Sequence, residues 1–311
     1  MRLPQTLIVL ALLGATAAAF AVTERLKLER SPITGTRVDK VFSPVCECAR
    51  DSATISFVLR VPGRVTVDVL DRAGEPVRTL VRDSDEPRGR ATYLWDGRDD
   101  LDRIVPDDVY RPRVRLRRHG RTIVLPNPIR VDTTPPRIRL VRVFPRLFSP
   151  DGDGRRDRVT AWYEIDDPAH AMMLIDGRRR VLERFRKTEG RLVWYGRVAG
   201  RPVRPGIYEI RLRAVDRAGN RSRSTRAVPV RVRYVELARE RIEAEPGRRF
   251  SVGVLTDAAS YRWRFAGRTG TSRSRVLRLV APDEPGTYSL YVFTGRWADR
   301  AEVTVIQPPV E

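Results

Sequence analysis

Lysine is almost missing from this chain: of 60 basic residues, only Lys27, Lys40 and Lys187 are not arginine. Histidine occurs twice, at His119 and His170, and neither lies in an H-E-x-x-H helix. No G-x-S-x-G elbow and no P-loop is present, so the usual hydrolase and nucleotide signatures are excluded. His119 falls in a His-Gly turn and His170 at the start of a strand-like run; both positions suit surface or packing roles. With no nucleophile–base pair in view, the sequence reads as that of a protein that is not an enzyme. Cysteine also occurs only twice, at Cys46 and Cys48, which limits the chain to one internal disulfide. After the first 22 residues there is no amphipathic helical pattern, which argues against an α or α/β architecture.

What is present in excess is arginine. The formal net charge is +21, with 32% charged and 41% hydrophobic residues. The apolar fraction suffices for packed cores and argues against disorder. A surplus of this size attracts polyanions such as nucleic acid, anionic lipid or acidic wall polymer. The arginines are spread along the chain, however, and alternate with apolar neighbours. That pattern describes solvent-facing cations and no specific nucleic-acid site.

Residues 1–22 form a leader. Arg2 precedes an uncharged apolar run from Leu7 to Val22 that ends in small residues, with Ala19-Phe20-Ala21 in A-x-A form. From Leu3 to Val22 the run is about 20 residues, enough to span a bilayer as a helix. The leader is therefore either an uncleaved membrane anchor or a cleaved signal peptide. The expected location is the cell membrane, single-pass with the remaining chain outside the cytoplasm; the alternative is secretion. Residues 23–37 read as a charged stalk. Export supplies an oxidising setting in which a disulfide can persist.

The rest of the chain carries a long repeat. Phe42-Ser43-Pro44-Val45-Cys46-Glu47-Cys48-Ala49-Arg50-Asp51 returns as Phe148-Ser149-Pro150-Asp151-Gly152-Asp153-Gly154-Arg155-Arg156-Asp157, at an offset of 106 residues. Thr54 and Phe57 return as Thr160 and Tyr163. A repeat of this length is a whole domain. Within each copy the hydrophobic period is two: Ile55, Phe57 and Leu59, then Val65, Val67 and Val69, face one way. Tyr110, Val114 and Leu116 share one parity, and Arg111, Arg113, Arg115 and Arg117 take the solvent side. Pro112 has no amide donor, which predicts an edge strand or a bulge there. Gly190 to Trp194 resembles Gly89 to Trp95, and Val203 to Tyr208 resembles Val105 to Tyr110. Asp132-Thr133-Thr134-Pro135-Pro136 reads as a stiff linker. A third block, 235–307, predicts strands at Phe250–Leu255, Tyr261–Phe265, Val276–Val280, Thr287–Phe293 and Ala301–Ile306. Arg239 to Glu243 fits either a helical turn or a linker. Short strands punctuated by turns mean β-sandwiches.

Phe42-Ser43-Pro44, the strand Thr54–Leu59, Val65–Leu70 with Asp71-Arg72-Ala73-Gly74, Val77–Leu80, Trp95-Asp96-Gly97-Arg98-Asp99 and Val105-Pro106 through Tyr110 together carry a resemblance. The first block resembles the immunoglobulin-like domain of the flagellar hook-capping protein and of bacterial surface proteases. The second block, with its Phe-Ser-Pro-x-Gly-Asp-Gly opening, resembles related secreted bacterial sandwiches, and the third is generically immunoglobulin-like. The resemblance implies an all-β chain of three tandem immunoglobulin-like β-sandwich domains, 38–132, 137–233 and 235–307, behind an N-terminal transmembrane or signal helix. It implies a non-catalytic structural or adhesive module of the bacterial cell envelope and does not extend to a flagellar role. Partners would be envelope proteins or anionic wall polymers, with the membrane engaged through the N-terminal helix. The alternative is a carbohydrate- or wall-polymer-binding accessory to a separate enzyme, using aromatic and arginine side chains; Trp95, Trp162, Trp194, Trp263 and Trp297 read either as stacking platforms or, at strand spacing, as core or sandwich-edge residues.

Two sites stand out. Cysteines at i and i+2 lie on one side of an extended chain, about 6.6 Å apart. Any bend brings them within disulfide range, so a Cys46–Cys48 bond is expected; no neighbouring His completes a zinc set. Asp151, Asp153 and Asp157 in the second copy either hold calcium, which takes several carboxylate and carbonyl oxygens, or cap backbone amides in a tight turn. No other cofactor is expected.

Overall fold

The computed structural model describes residues 9–20, 31–117 and 120–307. Residues 9–20 are α-helical, and no described helix is long and apolar enough to cross a membrane. The remainder of the leader, most of the expected stalk and His119 lie outside the described residues. Beyond the helix the architecture is all-β, and it divides into two compact units at Thr134/Pro135.

In the first unit, Ile33–Val38, Ala53–Leu59 and Gly89–Trp95 form a three-stranded antiparallel sheet. Facing it are Val41–Phe42, Ile129–Val131, Val109–Leu116, Gly63–Leu70 and Pro76–Glu86, with Arg121–Val124 alongside Val109–Leu116. One core lies between the sheets, built from the alternating residues Ile55, Phe57, Val65, Val67, Val69 and Val114 with Phe42, Trp95 and Tyr110. Ile33 is buried in this core, so the sandwich begins there and not at residue 38. Pro112 lies neither at an edge nor in a bulge. Its strand pairs with Gly63–Leu70 on one side. On the other side, Ile129–Val131 covers Val109 and Tyr110, and Arg121–Val124 covers Arg113 to Leu116. Pro112 sits between those two partners, and its carbonyl accepts from Leu125 N at 2.8 Å. A residue's N and O point to the same side of a strand, so the missing donor faces a gap in the ladder.

Arg111 and Arg115 on that strand, and Arg117 just after it, are exposed, as their parity predicts, and Arg113 is half-buried over an acid that the sequence did not mark. Asp68, on the outer face of the sheet, is 1% exposed. Arg113 covers it in register (2.9 Å), Arg115 closes from the next position (3.0 Å), and Thr79 Oγ1 donates to it at 3.3 Å. The arginine stems bury the carboxylate while their heads reach water.

In the second unit the repeat is visible as topology. Val228–Val232 pairs in parallel with Leu147–Phe148, as Ile129–Val131 does with Val41–Phe42. The 17-residue strand Val159–Ile175 serves both sheets. Its first half pairs with Ile138–Phe144 and Lys187–Trp194, and its second half with Gly206–Val215 and Arg178–Leu182. His170 lies inside this strand, its Nδ1 3.1 Å from the Glu183 carbonyl. A second core gathers here around Phe148, Tyr163, Met173, Trp194 and Tyr234.

A third core, with Val252, Tyr261, Phe265, Leu290 and Val303, lies between a sheet of Glu236–Leu237, Arg249–Leu255 and Val276–Val280 and a sheet of Arg241–Ala244, Trp297–Val305, Gly286–Thr294, Tyr261–Phe265 and Arg268–Ser272. Arg241–Ala244 is a strand parallel to Trp297–Val305, neither helical turn nor linker; Ile242 goes inward while Arg241 and Glu243 face water. Tyr234 stacks on Trp297 at 4.4 Å, so an aromatic from the third block packs on the second core.

Candidate functional site

The two Phe-Ser-Pro openings do the same structural job. Phe42 meets Trp95 edge-on at 5.5 Å, and Trp95 meets Tyr110 at 5.1 Å. In the second copy Phe148, Trp194 and Tyr208 repeat this at 5.6 and 5.5 Å. Each Trp Nε1 donates to a turn carbonyl, of Arg98 or of Arg197. Tyr110, Tyr208 and Tyr288 each donate their hydroxyl to the carbonyl four residues upstream at 2.9 Å. This is the tyrosine corner that marks immunoglobulin-like sandwiches. In the third core Phe250, Phe265 and Tyr288 form the corresponding chain of rings, at 5.3 and 6.3 Å.

Below the Phe-Ser-Pro segment a glycine turn follows the Trp. A Cβ added at Gly97 (φ +74°) would lie 3.0 Å from Pro44; one added at Gly196 (φ +58°) would lie 2.5 Å from Pro150 and 2.9 Å from Phe148. Both positions need glycine for conformation and for space.

The loops that follow differ. In the first copy Cys46 and Cys48 are joined by a disulfide, with Cα atoms 5.2 Å apart. The closure relative to an extended chain comes from Glu47, which takes a left-handed φ of 47°. In the second copy the carboxylates of Asp151, Asp153 and Asp157 lie within 4.8 Å of one another. Asp157 accepts from Gly152 N and Gly154 N, both at 2.7 Å. Asp151 accepts from Asp153 N at 3.2 Å, and Asp153 from Arg155 N at 2.7 Å. All three side chains thus form the turn, and each retains lone pairs that a hard cation could use. Burial, and then the charges of Asp153, Asp257 and Asp157, push the Asp151 carboxyl up to about 6. Asp257, from the third block, is also pushed up, first by burial, and its Oδ1 is buried without a hydrogen-bond partner. Beside this loop a cleft of about 350 Å³ is bordered by Arg155, Arg156, Arg233 and Arg275.

The tryptophans do not form one platform. Trp95 and Trp194 are core residues, Trp263 packs against the third core and Trp297 against the second. Trp162 lies on the outward face of its strand, with Arg142 over its ring at 5.5 Å.

Charge is divided unevenly, a feature that reading the arginines as evenly spread overlooks. Residues 31–134 hold 19 basic and 16 acidic side chains, whereas 135–311 hold 37 and 21. Counting the acids block by block was the available signal.

No family model matches the chain, and no curated protein does. Solved structures to which this chain is similar include the fibronectin(III)-like modules of Clostridium thermocellum CbhA, at 15% identity over 64% of this chain and 94% of theirs, with a TM-score of 0.36. A 1.5-MDa bacterial ice-binding adhesin matches at 13% identity over 90% of this chain and 98% of its own, with a TM-score of 0.30. The N-terminal four Ig domains of Dscam1 isoform 4.4 match at 15% over 90% and 74%, with a TM-score of 0.20. Likeness at TM-scores this low carries no argument about fold or residue roles.

Proposed function

We propose that this chain is a non-catalytic, extracytoplasmic structural and binding protein of the bacterial cell envelope. Its three cores correspond to three tandem immunoglobulin-like domains, the first of the hook-capping type, behind an N-terminal membrane segment. The observation that carries the reading is the Cys46–Cys48 disulfide in a chain headed by an apolar leader. Such a bond persists outside the cytoplasm. Three successive cores, each with its own tyrosine corner, suit a structural module that presents sheet faces to partners. The partners are envelope proteins or anionic wall polymers, and no nucleic-acid sequence is read. The Asp151–Asp157 loop is the candidate calcium ligand set. A second reading, an accessory that binds wall polymer for a separate enzyme, is favoured by exposed arginines stacked on aromatic rings.

Fractionation of cells producing the native chain, with sequencing of the mature N-terminus, tests the location. Recovery in the envelope fraction, with the domains open to external protease, is expected. Recovery in the cytoplasm with both thiols free to alkylation would overturn the reading.

A further inference from the structure

On two outward sheet faces of residues 135–311, guanidiniums lie over aromatic rings. In the second block Arg142 lies over Phe144 at 4.9 Å and over Trp162 at 5.5 Å. Trp162 is flanked in register by Arg142 on one strand and Arg191 on the other. In the third block Arg264 lies over Tyr291 at 4.8 Å, and Arg262 over Phe293 at 6.0 Å. Tyr291 is flanked in register by Arg264 and Arg300, and it stacks on Phe293 at 18°. The same arrangement, an aromatic on a central strand between two arginines, thus occurs twice. Among the described residues every guanidinium-over-ring contact falls in this unit, and Arg142, Arg262 and Arg264 have no carboxylate within ion-pair distance.

A ring beneath a guanidinium fixes the plane of its N–H fork. That removes part of the rotamer entropy otherwise lost on binding, and leaves planar donors free for bidentate contact with an anion. The unit's surplus of 37 basic over 21 acidic side chains adds long-range attraction. Single-stranded nucleic acid would draw on base stacking and so needs free ring faces; here a guanidinium already lies over each of these rings. A polyanion whose charges project from a saturated backbone needs only the donors.

We infer that these two faces, centred on Arg142 and on Arg262 and Arg264, bind a carboxylated polysaccharide. The envelope reading enters only as the reason such a polymer is at hand; binding is a property of the purified chain, and it can fail while the protein is still found in the envelope.

The test measures binding of the full chain to polygalacturonate, with neutral dextran and oligo(dT) as comparison probes. The triple variant Arg142→Lys, Arg262→Lys and Arg264→Lys keeps the net charge but removes the planar forks. A control triple, Arg64→Lys, Arg72→Lys and Arg103→Lys, alters exposed ion-paired arginines of the first unit. The expected result is polygalacturonate binding that weakens about tenfold in the first triple, the scale of three exposed charged contacts, and stays within twofold in the control. Unchanged binding in both triples would reduce the effect to bulk charge and overturn the inference. So would no polygalacturonate binding, equal losses in both triples, or tighter binding of dextran or oligo(dT). Each variant is first checked by circular dichroism, and the single Arg264→Lys change, with an expected loss of about threefold, serves if the triple unfolds.

Discussion

In residues 31–134 the guanidiniums close on aspartates: Arg113 and Arg115 on Asp68, Arg72 on Asp108, Arg103 on Asp99, Arg117 on Asp83. In residues 135–311 Arg142, Arg262 and Arg264 close on rings and leave their donors open. The residue type is the same, and the difference lies in what the neighbouring strand offers. Opposite Arg113 stands Asp68, and opposite Arg264 stands Tyr291. An arginine satisfied by a buried carboxylate contributes to stability. One held by a ring contributes little to stability and stays available to a partner.

The largest test of this contrast removes one partner from each kind of site. Asp68→Ala leaves two guanidiniums facing a void and is expected to cost about 3 kcal/mol, the low end for a broken buried pair, because both heads keep some contact with water. Phe144→Ala removes a ring that is 55% exposed and is expected to cost less than about 1 kcal/mol. Urea unfolding of the full chain measures both; comparable losses would dissolve the distinction.

A second test compares the twin turns beneath the Phe-Ser-Pro openings. Gly196→Ala meets Pro150 at 2.5 Å, whereas Gly97→Ala meets Pro44 at 3.0 Å. Both incur left-handed strain of about 1–2 kcal/mol. Overpacking adds more at the second site, so about 3 kcal/mol is expected at Gly196 and about 2 kcal/mol at Gly97. A larger loss at Gly97 would contradict the packing described.

The smallest effect separates turn from calcium site in the second loop. Asp151 titrates near 6 in the folded chain, raised first by burial, against about 3.9 unfolded. The folded form holds the proton more tightly, so stability falls as pH rises from about 4 to about 6. At pH 7 in chelator, Asp151→Asn is therefore expected to stabilise by about 1 kcal/mol, less than the full shift implies because the loop is screened by water. With millimolar calcium the wild-type midpoint should rise and the order of the two proteins reverse. A midpoint indifferent to calcium would leave the three aspartates as turn formers alone.

Much of the sandwich could be read along the chain. Tyr261–Phe265 appears at the predicted residues because alternation there is strict, and Val276–Val280 because a short apolar, branched run between turn residues is strand-like. Arg241–Ala244 was not legible, since four residues hold too little period to tell a strand from a turn. The two loops were visible because Phe-Ser-Pro and the acidic centre keep their spacing. Asp68 was not, because an aspartate among valines at alternate positions reads as a solvent-facing residue. Nor were Gly97 and Gly196, whose constraint comes from Pro44 and Pro150, far away along the chain.

Sequence alone determined the strands with a clear alternation, the repeat and the proximity of Cys46 and Cys48, because each rests on neighbours within a few residues or on a repeated spacing. Only tertiary structure decided which arginines meet carboxylates and which meet rings. That choice depends on cross-strand register, which sets Arg113 beside Asp68 and Arg264 beside Tyr291, and register is fixed by how each sheet closes over its core.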